Sequence, residues 1–447
     1  MGATIGTVAT PGTLGPILKD YYIGPLQEQL NNEVMVLQMF EKAKISWAGR
    51  QGIVPVHVGR NSGVAFKSEG DSLKAAGSQT TKRLSFEAAY LYGRFEVTGP
   101  AIASAAKGGT ASFIGALELE MDKLKDDIRT TADQTAISGG RVVGFLNEHK
   151  KTTGAGNTDW DFRGDMDKLG TAIATKGGAV SVKIIDCTNL TLLPTATANS
   201  YEYTQGAHAA VCNSVNASTL QINLNNVDAN GADVDLEGLG AGFSAAVVIT
   251  DSTASLGYMD QEPTGIYGNL ADVSLFGVDR GADADDATAL QSVVFNMDMD
   301  NSGSGADEAL TLVRIQEVID AISVTSGMTP DVIMMNPIDR AKYIDLINND
   351  IFKVAEKATT GDGGFLGLSY GGIPIKAGRH CSRSLLLFLN TKCWKLAVLE
   401  DGKFADLDGN VLSRVSGKDS FEGFYKWYYN HYCYRPGANG ILTGILP

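Results

Sequence analysis

One amphipathic pattern constrains this chain more than any other. Ser112 stands where a helix cap is expected, and Ile114, Leu117, Met121, Leu124, Ile128 and Thr131 follow at three- and four-residue steps. Asp122 with Lys125, and Asp126 with Arg129, have the spacing of i,i+3 ion pairs on the wet face. Gly139-Gly140 then supplies a stop. The spacing predicts one helix over residues 112–137, about 39 Å long. Such a rod exceeds what a compact domain needs.

The segment upstream is equally short of partners. Residues 1–48 open on a Gly/Thr/Pro-rich lead, and Leu26, Leu30, Val34, Leu37 and Phe40 then recur at helical spacing between Tyr21 and Ala43. This predicts an arm with one amphipathic helix. Residues 49–100 read as extended: Ile53, Val54, Val56 and Val58 form one strand run, and Leu84, Phe86, Tyr90, Tyr92, Phe95 and Val97 a second. Between the runs lies Asn61 to Arg83, with Gly63, Gly70 and Gly77 and the charged Lys67, Glu69, Asp71, Lys74, Lys82 and Arg83. That is a long polar hairpin with almost nothing of its own to bury, and an isolated two-stranded ribbon is marginal in water. It needs a partner surface, and those six charged residues are the candidates for contact with it.

Residues 141–262 change character. Thr, Asn, Gly, Ala and Ser dominate, with short β-like pieces at Val180–Ile185, Leu190–Leu193, Leu220–Leu224 and Ala245–Ile249, separated by turn chemistry such as Asn230-Gly231. They read as a small antiparallel domain inserted between two halves of a larger fold. Residues 263–447 return to mixed α/β. Ala309, Leu312, Val313, Ile315, Ile319 and Ile322 predict a helix, Val332–Met335 a buried strand, and Asn336-Pro337 the capped start of another helix. Strands follow at Ile373–Ile375, Leu385–Leu389 and Lys395–Leu399, and the aromatic run Phe421 to Tyr434 reads as a last long strand.

Composition removes several function classes. With 51 acidic against 37 basic residues the formal charge is −14, and no long basic run occurs, which argues against sequence-independent nucleic-acid binding. No apolar stretch approaches the roughly 18 residues needed to span a bilayer, so no membrane partner is expected. The start of the chain lacks the basic and apolar regions of a secretory signal. Cys187, Cys212, Cys381, Cys393 and Cys433, odd in number and irregular in spacing, read as reduced thiols rather than a disulfide framework. Charged residues are only 20% of the chain while 52 residues are glycine, which suggests a loop-rich protein whose surface meets neighbours.

The candidate sites reduce to architecture. Asp298, Asp300, Ser302 and Gly303 start a calcium-loop pattern, but its twelfth position is Ala309 instead of glutamate, so an acidic turn is the better reading. Asp406-Leu407-Asp408-Gly409-Asn410 is a hairpin turn before it is an ion site. His380, Cys381, Cys393, His431 and Cys433 contain no tight pair to seed a zinc site. The glycines at 361, 363, 364, 367, 371 and 372 lack the Gly-Lys-Ser/Thr ending of a phosphate loop. The stripe Phe421, Phe424, Tyr425, Trp427, Tyr428, Tyr429, Tyr432 and Tyr434 has few accompanying cations and reads as a core or interface strand rather than a base-stacking surface. No catalytic constellation, metal site or cofactor site is nominated.

The order of elements, with Tyr92-Gly93-Arg94-Phe95 ahead of the long helix, Glu262-Pro263-Thr264-Gly265 and Gly277-Val278-Asp279-Arg280 after the middle segment, Met335-Asn336-Pro337 with Tyr343, and Gly372-Ile373-Pro374-Ile375, resembles the major capsid proteins of tailed bacteriophages. Encapsulin nanocompartments and herpesvirus capsid floors share that shell fold. The resemblance spans most of the chain outside residues 141–262. It implies an α+β shell fold: an N-terminal arm (1–48), an extended loop (49–100), a spine helix of the peripheral domain (101–140), a β-rich inserted domain (141–262), a return to the peripheral domain (263–304), an axial domain (305–395) and closing peripheral strands (396–447).

It further implies a structural protein and no enzyme. The resemblance implies that copies would assemble in the host cytoplasm into the hexamers and pentamers of an icosahedral virion capsid, around double-stranded DNA held without sequence-specific binding. Scaffold, portal and cement or decoration proteins are the implied partners, with the scaffold a separate protein because the arm is short. Some relatives carry a lysine–asparagine isopeptide bond, and no motif assigns Lys67 or Lys74 that role. Two rivals stand beside this reading: an encapsulin-like container, and a secreted β-rich adhesin or glycan-binding protein suggested by the Thr/Asn/Gly-rich middle.

Overall fold

The computed structural model describes residues 34–100, 110–150, 157–178, 180–186, 191–192, 210–216, 220–225, 245–249, 261–271, 274–280, 290–297, 309–349, 368–406 and 412–445. In chain order the first elements are helix α1 (Val36–Glu41), strands β1 (Lys44–Ser46), β2 (Gln51–Gly59), β3 (Thr80–Glu87) and β4 (Ala89–Thr98), and helix α2 (Thr110–Ser138). Next come β5 (Val142–Lys150), β6 (Asn157–Gly164), α3 (Met166–Lys176), β7 (Val180–Asp186), β8 (Thr191–Leu192), β9 (Ala210–Asn216), β10 (Gln221–Asn225) and β11 (Ala245–Ile249). The rest comprises α4 (Ile266–Ala271), β12 (Ser274–Leu275), β13 (Val278–Asp279), β14 (Val293–Asn296), α5 (Leu312–Ser326), β15 (Val332–Met335), α6 (Pro337–Asn349), β16 (Ser369–Tyr370), β17 (Ile373–Ala377), β18 (Leu386–Leu389), β19 (Trp394–Phe404), β20 (Ser413–Arg414), β21 (Ser420–Cys433) and β22 (Gly440–Thr443).

The long helix forms as its periodicity predicts, over 29 residues, and Gly140 beyond its end takes a positive φ of 80°. Lys123 and Asp126 make a 3.7 Å pair on its wet face. Its inner stripe, with Ile128, Ala132, Ala136 and Ile137 buried, lies on a five-stranded sheet. In that sheet the aromatic strand β21 is central: β19 and β20 pair along one edge and β4 along the other, all antiparallel, and β1 adds parallel to β19. Tyr425, Trp427 and Tyr429 of β21 are buried toward the helix. A Cβ on Gly93 of β4 would stand 2.5 Å from Ile128 Cδ1, so glycine is what lets this strand lie close under α2. Helix α1 joins the same core through Val36, Leu37, Met39 and Phe40. The Asp133 carboxylate of α2 accepts its Leu37 N–H at 2.8 Å.

A second sheet runs β14-β22-β18-β15-β17-β16. Its central strands β15 and β18 are buried at every position, as four-residue apolar runs in a covered sheet should be. Helix α5 lays Ile315, Val318, Ile319 and Ile322 on it. This helix starts where Thr311 Oγ1 accepts the Arg314 N–H at 3.3 Å and stops at the left-handed Gly327. Helix α6 starts at Pro337 with Asn336 Oδ1 accepting the Ile338 N–H at 3.0 Å.

Strands β5 to β11 pair only among themselves. The pairings β11–β5, β5–β6, β6–β10, β10–β9, β9–β7 and β7–β11 are all antiparallel and return to their starting strand, so six strands close a ring, with β8 added to β7. Closure removes the free edges that six short strands would otherwise present. Phe145, Phe162, Leu169, Val180, Val182, Cys212 and Ile222 are buried in this part of the chain.

Three readings need amendment. The apolar run from Leu84 to Val97 is not one strand: it breaks at Ala88, with β3 pairing back onto β2 and β4 joining the sheet under α2. Strands β5, β6 and β9 and helix α3 are absent from the predicted pieces. Most of the helix predicted between Tyr21 and Ala43 lies outside the described residues, which begin within it and show α1.

Candidate assembly surfaces

The extended ribbon has a buried root and an exposed tip. At the root Phe86 packs between Trp47 (4.7 Å between ring centroids), Tyr432 (4.9 Å) and Phe276 (5.5 Å), and a Cβ on Gly52 would collide with Phe86 at 2.5 Å. Val54, Val56 and Val58 of β2 pack beside the buried Leu84, Val278 and Leu290. Farther out Asn61 Oδ1 accepts the Gly63 N–H at 2.7 Å, and Gly63 and Gly77 approach so closely that a Cβ on Gly63 would lie 3.0 Å from Gly77 N. Beyond this pinch, Val64, Phe66 and Leu73 are 82%, 106% and 89% exposed. Three large apolar side chains on the end of a polar loop are a feature that reading the segment for charge overlooks. Single exposed apolar residues need no explanation, but three on one ribbon tip form an apolar patch of the kind that contact surfaces carry.

Of the six charged candidates, Lys67, Glu69, Asp71 and Lys74 stand exposed on this tip. Among the described residues none of the four has an ion-pair partner. Lys82 and Arg83 sit lower, on β3, opposite Val56 and Pro55. The structure therefore divides the six between the tip and the stem.

A second surface lies on the face of β4 and β21 turned away from α2. Tyr90 and Tyr92 are 57% and 56% exposed. Tyr428, opposite them, meets Tyr90 edge-on at 5.0 Å and Tyr92 at 5.7 Å, and the Tyr92 hydroxyl donates to that of Tyr428 at 3.0 Å. This bond raises the Tyr92 pKa. Lys426 Nζ stands 5.6 Å over the Tyr428 ring and 2.9 Å from Glu400, which Lys403 also reaches at 2.9 Å. The ammonium groups of Lys403 and Lys426 hold the Glu400 carboxyl below its usual range. Arg94 bonds Glu422 at 2.5 Å, and Ser420 Oγ donates to Glu96 at 2.6 Å, which lowers the Glu96 pKa. The result is an aromatic platform framed by balanced charge.

The other sequence candidates fall mostly into the core or outside the described residues, with His380 half-buried. Cys381, Cys393, His431 and Cys433 are buried, and no group of three His, Cys, Asp or Glu side chains converges among the described residues. His431 sits between Phe40 (5.3 Å) and Tyr429 (5.2 Å), with neither ring nitrogen bonded, and burial lowers its pKa to about 3. Asp298, Asp300, Ser302 and Gly303, residues 407–410 and the glycines from 361 to 367 lie outside the described residues, while Gly371 and Gly372 form a tight turn at φ 57° and 84°. Within the aromatic stripe Tyr425, Trp427, Tyr429 and Tyr432 are buried, Phe421, Phe424 and Tyr434 are half-buried, and the half-buried Tyr428 lies on the platform. No helix among the described residues is long and apolar enough to cross a membrane.

A covered sheet carrying a long helix, a second sheet with its own helices, and a projecting ribbon with apolar residues at its tip make up a mixed α and β fold, and solved capsid chains share it. The chain aligns over 98% of its length with 99% of a chain in the cyanophage A-1(L) capsid asymmetric unit, at TM-score 0.52 and 12% identity. It also aligns over 98% of its length with 100% of a chain in the capsid of a native GTA particle, at TM-score 0.50 and 10% identity. The expected phage-capsid fold is thus the observed one. No family model and no curated protein matches the sequence.

Proposed function

We propose that the chain is the major capsid subunit of a tailed phage, a structural protein rather than an enzyme. The observation that carries this reading is the end-to-end fold correspondence with two capsid chains, which includes the middle segment as well as the flanking parts. In this reading β2 and β3 form the extended loop and α2 the spine helix, the five-stranded sheet belongs to the peripheral domain and the second sheet to the axial domain, with the expected bounds shifted: β14 and β22 join the second sheet from 263–304 and 396–447, and β1 and β4 join the five-stranded sheet from the arm and the extended-loop range. Residues 141–262 are the β-rich inserted domain, and their self-contained ring of pairings supports that assignment.

Copies assemble into hexamers and pentamers of an icosahedral shell around double-stranded DNA. The exposed ribbon tip supports this, since its apolar residues have no cover in the single chain. A net charge of −14 suits a container that encloses DNA without gripping it. Expression with a scaffold and electron microscopy with nucleic-acid staining test the reading. DNA-filled icosahedral particles are expected; protein-filled shells without DNA would favour the encapsulin-like alternative, and a sugar-binding monomer would favour the adhesin.

A further inference from the structure

A cavity of about 330 Å³ opens where the middle of α2 meets β1, β19 and β21. Its polar wall is Lys44, Lys125, Arg129, Asp401, Tyr425 and Trp427. Lys125 and Arg129 stand one helical turn apart, a like-charge spacing that weakens a helix. Lys125 has no ion-pair partner among the described residues. Across the cavity Lys44 holds the Asp401 carboxylate.

The aromatic side of the wall is short of acceptors too. Tyr425 and Trp427 are only 9% and 7% exposed. Neither the Tyr425 hydroxyl nor the Trp427 indole N–H is hydrogen-bonded among the described residues. A donor on so buried a side chain is costly unless something accepts from it. The Tyr425 phenol feels the charges of Arg129 and Asp401, which places its tip among them, and burial raises its pKa, so the hydroxyl keeps its proton. A Cβ on Gly402 would overlap that hydroxyl, so glycine keeps its place open. Phe404, edge-on to Tyr425 at 5.2 Å, and Tyr429, at 4.4 Å from Trp427, hold the two rings in position.

Donors therefore surround a space whose one carboxylate is already taken. Three cations against that carboxylate leave a local charge of +2, in a chain whose formal charge is −14. The complement is a small dianion rich in acceptor oxygens. A carboxylate brings a single negative charge, whereas a phosphate carries roughly −1.5 to −2 near neutral pH with three strong acceptors. The volume lies at the lower end of small-molecule sites and is too small to admit duplex DNA. The larger cleft beside β2, about 580 Å³, is a weaker candidate, because its Arg435 is spent on the Ser326 carbonyl at the end of α5.

We infer that this cavity binds a phosphate dianion, free or as the terminal group of a small monoester, with Lys125 and Arg129 as its charge partners and Tyr425 and Trp427 as neutral donors. A ligand held there bridges α2 to β1 and β19, so binding also stabilises the folded chain.

The test is calorimetric titration of the full chain with inorganic phosphate at low ionic strength, repeated with phenyl phosphate, acetate and a duplex oligonucleotide. Saturable phosphate binding and a raised melting temperature are expected. Lys125→Gln, at an exposed position, and Tyr425→Phe should each weaken binding about tenfold with circular dichroism unchanged. Tighter binding of phenyl phosphate than of inorganic phosphate would make the ligand an ester, and the reverse order would make it the free ion. No saturable phosphate binding, or equal affinity in the parent and Lys125→Gln, would overturn the site. Acetate bound as tightly as phosphate would overturn the dianion, and duplex binding abolished by Lys125→Gln would assign these cations to DNA instead.

Discussion

Lys168 Nζ lies 2.5 Å from Glu262 Oε2, joining the start of α3 to the segment that leaves the β5–β11 ring. The same ammonium donates to the carbonyls of Ser138 and Gly140 at 2.8 Å, and Glu262 Oε2 also accepts the Gly140 N–H at 3.1 Å. Both side chains are largely covered, at 8% and 19% exposure. Gly265 N–H donates to Gly139 O at 3.1 Å, and a Cβ on Gly265 would lie 2.6 Å from Gly139 N. The chain therefore enters and leaves the ring through one tight neck. Removing one partner leaves the other charge buried, and Glu262→Ala should cost about 3 kcal/mol, read by denaturant titration. A loss below 0.5 kcal/mol, roughly that of an exposed pair, would mean the clasp is solvated.

Excision of residues 141–262, bridged by a short Gly/Ser linker, should leave a soluble folded remainder because the ring's strands pair only with one another. The remainder should be less stable, since Val142 and Phe145 belong to the main core and Phe145 packs edge-on against Tyr267 at 5.5 Å. Their loss opens a cavity that costs about 3–5 kcal/mol. Circular dichroism and thermal melting check both statements; complete loss of folded protein would place the ring inside the main folding unit.

Gly93→Val should pry β4 from α2. Its Cβ would sit 2.5 Å from Ile128 Cδ1 and 2.9 Å from Leu124 Cδ1, and overpacking of this kind costs about 1–3 kcal/mol. Stability unchanged in a melt would show that the helix shifts freely over the sheet.

Acid should weaken the fold through His431. Burial lowers its pKa from 6.5 to about 3, so between those values the unfolded chain binds a proton that the folded chain does not. Stability then falls as pH drops through that window, by about 1.4 kcal/mol per unit, and this loss is complete below the folded pKa. His431→Phe, an aromatic ring in an aromatic site, should lose about 3 kcal/mol less than the parent between pH 6.5 and 4. Equal losses in both chains would assign the acid sensitivity elsewhere.

How much of this was legible beforehand depended on how local each signal was. The 112–137 periodicity, the Val332–Met335 run and the Asn336-Pro337 start are each contained within one element, and each element appears close to its predicted bounds. Helix α3 carries its own punctuation in the sequence. Asp165 Oδ1 caps it by accepting the Lys168 N–H at 2.9 Å, and Gly177 ends it in the left-handed region. The break at Ala88 was hidden because apolar residues continue through it; what changes there is the partner strand. Ring closure pairs Val182 with Ile249 and Ala245 with Leu146, contacts between distant residues that no local pattern encodes. The platform was hidden too, since Tyr428 belongs to a stripe whose other members are mostly core.

The central claim is that this chain builds a shell with copies of itself. The most direct measurement is light scattering with electron microscopy on the full chain co-expressed with its scaffold, beside Phe66→Asp. Closed particles of megadalton mass are predicted for the parent, and folded, unassembled subunits for the variant. A parent that stays monomeric under every assembly condition would contradict the account.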